Sequence, residues 1–73
     1  MSRDDAARLG HMAGQIAAFF HHLPEAEAAA AIAGHINQFW SPRMRRALLA
    51  EVEATPLDSL VRRALPLVRL PVG

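Results

Sequence analysis

The chain has 73 residues, 52% of them hydrophobic and 21% charged, with a net charge of +1 and no cysteine. That length supports one domain with a modest core, and no disulfide or thiolate-bound metal can staple it, so stability must come from helix packing or from a partner. The positive charge is carried by arginine without a single lysine, which favours fixed, forked contacts to carboxylates over a diffuse field for nucleic acid.

Ser2 is placed to cap a first helix, with Asp4 and Asp5 in the first turn where negative charge meets the helix dipole. Leu9, Met12, Ala13, Ile16, Phe20 and Leu23 then recur at three- and four-residue spacing, which predicts an amphipathic helix over about 3–22. His21 and His22 fall in its last turn, where imidazole suits the negative end of the dipole. Pro24 closes this helix and is available as the first residue of the next.

A second helix is expected over about 24–39, with Ala29, Ile32, Ala33, Ile36 and either Phe39 or Trp40 on one side and Glu25 and Glu27 at its start. Its alanines raise helix propensity, whereas Gly34 lowers it and is read as a point of close packing. Ser41 as N-cap and Pro42 at the first helical position restart the chain as a third helix over about 42–54, burying Met44, Leu48 and Val52. Thr55-Pro56-Leu57-Asp58 repeats that device for a fourth helix over about 56–65, with Asp58 closing a capping box on Thr55 and Leu57, Leu60, Val61 and Ala64 on one face. The tail, 66–73, has two prolines against helix formation and four leucines or valines. It packs back on the helices, lies in a partner's groove or stays disordered. The fold expected is all-α: one domain over 1–73, a small bundle of three main helices with a short fourth helix and an apolar, proline-containing tail.

Chemistry is hard to place on this chain. The glycines are isolated, so no phosphate-cradling loop exists, and the nucleophiles reduce to serines and a threonine used as caps. His11, His21, His22 and His35 offer no pair spaced three or four apart, and no carboxylate joins them in a metal-binding motif. His35 beside the Ile32–Ile36 stripe is either a buried hydrogen-bonded residue or a partner contact. Most acids sit in first turns of helices, and Glu51 and Glu53 are too close to flank a substrate. No catalytic, cofactor-binding or metal site is expected. No apolar run is long enough to span a bilayer and no signal peptide is visible, so the chain is read as cytoplasmic.

The strongest local signal is Phe39 to Arg46: a Phe-Trp pair, a Ser-Pro turn, and Arg43, Arg45 and Arg46 around Met44. Trp and Arg are enriched in interface hot spots. The segment therefore reads either as a core tryptophan beneath solvated arginines or as a protein-binding corner, and the two are compatible. Arg43 and Arg46 share a face, while Arg45 points elsewhere. The residues assigned to partner binding are His35, Phe39, Trp40, Arg43, Met44, Arg45 and Arg46. A small nucleic-acid-binding or regulatory module is the alternative, since the arginines would also reach phosphates.

Met12–Phe20, "MAGQIAAFF", followed by Ile32–Leu49, "IAGHINQFWSPRMRRALL", resembles the small delta subunit of NAD-dependent, molybdenum-containing formate dehydrogenase. Met12, Ala13, Gln15, Ile16, Ala17, Phe19 and Phe20 match its first block, and Ala33, His35, Phe39, Trp40, Pro42, Arg43, Met44 and Arg45 its second. Gly14 and Gly34 depart from it, standing where asparagine and aspartate are usual. The resemblance implies a non-catalytic accessory chain that binds the large alpha subunit, within a complex that also has beta and gamma subunits. The partner complex would carry molybdenum cofactor, iron–sulfur clusters and FMN, oxidise formate to carbon dioxide and reduce NAD⁺. In that setting, helices 2 and 3 wedge an aromatic corner against alpha. Whether the isolated chain associates with itself is left open.

Overall fold

Alternating small and large apolar residues at helical spacing make each element among the described residues a helix with one buried side. The computed structural model describes residues 3–50 and 57–70, with side chains from residue 7 onward, and contains no strand among them. The elements are α1 (Arg3–Phe20), α2 (Glu25–Phe39), α3 (Pro42–Ala50) and α4 (Ser59–Ala64), followed by a 3-10 turn at Leu65–Leu67. Ser2, Val52, the Thr55–Pro56 pair and the last three residues lie outside the described residues.

α1 packs on α2, α3 and α4, while α2 also packs on α4 and the 3-10 turn. The molecule measures 33 × 26 × 18 Å, so its short axis holds no more than two helix layers. Among the described residues sixteen hydrophobic ones are buried, and seven of them are alanines: Ala13, Ala17, Ala28, Ala29, Ala33, Ala47 and Ala64. Small side chains let the helices approach closely but contribute little area each, so Ile32, Ile36, Leu48, Val61 and Trp40 carry most of the hydrophobic stabilisation.

Several helix ends differ from the sequence-based expectation. α1 stops at Phe20, and the Leu23 N–H folds back to the Phe20 carbonyl at 3.0 Å. His21 and His22 therefore occupy a turn beyond the helix, because Leu23 precedes a proline and is pushed out of helical backbone. Pro24 is the N-cap of α2 and not its first helical residue, with ψ of 146°, and its carbonyl accepts from the Ala28 N–H at 2.8 Å. α4 starts at Ser59 and not at 56. Its cap is Asp58, whose carboxylate accepts from the Leu60 N–H at 2.8 Å, so the acid expected to close a box on Thr55 is itself the cap. Gly34 is exposed, and a Cβ there would meet nothing within 4 Å. It is therefore not a point of close packing within the chain. α4 ends at Ala64, before Pro66 as expected, and Pro66 then sits in the 3-10 turn, which tolerates a missing N–H at its first positions.

At the α2–α3 corner, the Trp40 N–H closes α2 on the Ile36 carbonyl at 2.9 Å. Ser41 Oγ then accepts from the Met44 N–H at 3.2 Å and its carbonyl from the Arg45 N–H at 3.0 Å, opening α3. The backbone of Trp40 is extended, with φ of −88° and ψ of 140°, and its indole is buried on the side of α2 that carries Ile32 and Ile36.

Candidate docking surface

Two adjacent aromatic pairs end α1 and α2, and each pair is divided between the inside and the outside of the fold. Phe20 packs against the core while Phe19 is 79% exposed. Trp40 is 6% exposed and Phe39 is 68% exposed. Burying both rings of a pair would require one helix face to cover successive residues, which point about 100° apart on a helix.

Phe19 and Phe39 approach one another through His35. The His35 and Phe39 rings meet edge to face with centroids 4.8 Å apart, and Phe19 tilts against Phe20 at 6.2 Å. Between α1 and α2 lies an open hollow of about 230 Å³ lined by Ile16, Phe19, Phe20 and His35. A second hollow of about 300 Å³ extends from it past Met12 and Gln15 to the edge of Trp40. The two hollows share Ile16, Phe19 and His35 and so form one apolar groove that carries the uncovered Phe19 ring, with Phe39 set against His35 at its edge. His35 Nδ1 is buried beside it with no hydrogen-bond partner, a group left for a donor or acceptor from outside.

The arginines of α3 divide as well. Arg43 and Arg46 are exposed. Arg45 is half-buried and reaches the opposite side, where its Nη1 donates to the Arg69 carbonyl at 2.8 Å. α3 has no acid in its first turn, so these cations face the positive end of its dipole, an arrangement that lowers helix stability. α4 has the favourable order, with Arg62 and Arg63 in its last turn. Of these cations Arg45 is accounted for by its bond to the tail, while Arg43 and Arg46 stay exposed.

Of the seven residues assigned to partner binding, the fold brings His35 and Phe39 together on the groove and leaves Arg43 and Arg46 open nearby along the chain. Trp40 and Met44 pack on the core, and Arg45 holds the tail. Sequence reasoning missed Phe19 and Ile16 as groove residues and Asn37 as a tail contact. Phe19 was detectable, since it stands off the Met12–Ile16–Phe20 stripe. The described residues bring no three His, Asp or Glu side chains into a metal-binding group, and none of their helices is long and apolar enough to cross a membrane.

A family model described as NADH-dependent formate dehydrogenase delta subunit FdsD matches residues 8–65. The chain belongs to that family. The matched span holds both aromatic pairs, the groove and all three arginines of α3. No curated protein and no solved structure matches the chain. As a formate dehydrogenase delta subunit, it is a component of a complex with other subunits, and the redox cofactors of that enzyme belong to the partner complex.

Proposed function

We propose that this chain is a non-catalytic accessory subunit that docks on the large alpha subunit of a cytoplasmic, NAD-dependent, molybdenum-containing formate dehydrogenase and stabilises the assembled enzyme. The complex would include beta and gamma subunits and oxidise formate to carbon dioxide on cofactors that they and alpha carry. The observation that carries the reading is the uncovered groove between α1 and α2, with Phe19 and Phe39 held outward beside it. Exposed large aromatics at a concave apolar surface are the usual anchors of a protein interface. Arg43 and Arg46 supply charge for carboxylates of the partner, which favours one orientation of docking. Family membership favours this reading over a nucleic-acid-binding module.

Co-purification tests it. The parent chain is expected to copurify with the alpha subunit, and the Phe19→Ala/Phe39→Ala double variant to be lost from it while keeping its helicity. Retention of the double variant at parental stoichiometry would remove the groove from the interface.

A further inference from the structure

Asn37 and Arg45 hold a stretch of extended backbone by its peptide groups. Asn37 Nδ2 donates to the Leu67 carbonyl at 3.0 Å, and Asn37 Oδ1 accepts from the Arg69 N–H at 2.7 Å. The two bonds straddle Val68, whose φ of −75° and ψ of 127° are extended. One side-chain amide thus stands where the peptide group of a neighbouring strand would. From α3, Arg45 Nη1 adds a bond to the Arg69 carbonyl at 2.8 Å. All three bonds go to main chain, so the slot reads backbone, and side-chain preference enters only through Val68, which is buried.

Two observations separate the slot from its present occupant. The family match ends at residue 65, so Asn37 and Arg45 lie inside it and the bound segment lies outside. The occupant also fits incompletely: Arg45 Nε is buried with no acceptor, and Leu67 and Leu70 remain 49% and 42% exposed. Three solvent-facing bonds and one buried side chain make a tail that can be exchanged.

We propose that the Asn37–Arg45 slot is a second docking point, which accepts an extended segment of a partner subunit in place of this chain's own Leu67–Arg69. This is recognition by strand addition, in which main-chain bonds supply the affinity. A further carbonyl or carboxylate on the incoming segment would meet the Arg45 Nε–H that the tail leaves unpaired. The identity of the partner as a formate dehydrogenase subunit rests on the delta-subunit reading above.

Arg69→Pro in the full chain removes the N–H that donates to Asn37, one of the three bonds, while leaving Asn37 and Arg45 in place, and so loosens the tail's hold on the slot. Weakening self-occupancy raises the competent fraction, so Arg69→Pro is expected to bind formate dehydrogenase assembled without its delta chain about three- to tenfold more tightly than the parent. Asn37→Ala, which destroys the slot, should bind more weakly than the parent. Equal or weaker binding by Arg69→Pro, or no change in Asn37→Ala, would overturn the proposal. Hydrogen exchange on the unmodified chain gives an independent reading. The Arg69 amide should exchange faster in the complex than in the free chain, and unchanged or slower exchange counts against displacement. A parent chain that never binds the delta-free enzyme overturns this proposal together with the docking reading, whereas binding with Arg69 still protected overturns this proposal alone.

Discussion

Along its α4 side, helix α2 is partly covered by the chain's own tail, beside an open hollow lined by Ala29 and Leu67; along its α1 side it borders an open groove. On the first flank, Ala29 and Ala33 are buried, Asn37 bonds the tail, and Val68 is covered. On the second, His35 and Phe39 border an open groove, and a ring from α1 stands beside them in solvent. Both flanks carry apolar residues at the same helical spacing, so amphipathicity alone does not tell a covered edge from an open one. What separates them is a bound segment, since the tail lies along the first flank and no segment of the described residues covers the groove on the second. Asn37 has both halves of its amide satisfied, whereas His35 keeps a buried nitrogen without a partner. Each flank keeps one buried nitrogen without a partner, Arg45 Nε beside the tail and His35 Nδ1 beside the groove, and each is a point that a group from a partner would complete.

Single substitutions can break or sharpen this contrast. The largest effect belongs to the inward member of a pair: Trp40→Ala should cost about 3–5 kcal/mol of stability by emptying a core site, read from urea unfolding. The outward member should behave oppositely. Phe39→Ala should leave the unfolding midpoint nearly unchanged but weaken binding to the alpha subunit by about 2–4 kcal/mol, as truncation of an interface anchor does. Should Phe39→Ala unfold the chain and Trp40→Ala spare it, the assignment of inside and outside is wrong. Arg43→Ala comes next, with a loss of about 2 kcal/mol in assembly if its charge is paired and desolvated there. Arg69→Ala should weaken assembly less, since only the Arg69 backbone is used in the fold, and equal effects in a binding titration would refute that ranking.

On the tail-covered flank, Asn37→Ala removes two solvent-facing bonds to the tail and should cost about 1–2 kcal/mol in thermal unfolding. The smallest change is a gain. Gly34→Ala adds a Cβ that meets nothing within 4 Å, so helix propensity should stabilise the free chain by about 0.5–1 kcal/mol. A loss of stability would mean that Gly34 is constrained in a way its open surroundings do not indicate.

Much of the candidate site was legible beforehand, for different reasons at different residues. Ser41-Pro42 announces the start of α3 because cap chemistry is local and is satisfied within three residues. The Phe39–Arg46 segment stands out by composition, since tryptophan and clustered arginine are conspicuous in a chain this rich in alanine. The roles within that segment were not legible. Trp40 and Arg45 look like interface residues by type, yet one is core and the other holds the tail. Sequence separation hides such pairings: Arg45 meets Arg69 across 24 residues and Asn37 meets Arg69 across 32.

By itself the sequence determined that the fold is all-α and that the aromatics come in pairs at helix ends. Those properties follow from periodicity, residue chemistry and caps, which act over a few positions along the chain. Only the tertiary structure decided which ring of each pair faces water, that Phe19 and His35 share one groove, and that Asn37 and Arg45 hold the tail. Each of those depends on which helix lies beside which, and that is settled by burying the alanine faces of α1, α2 and α4 together.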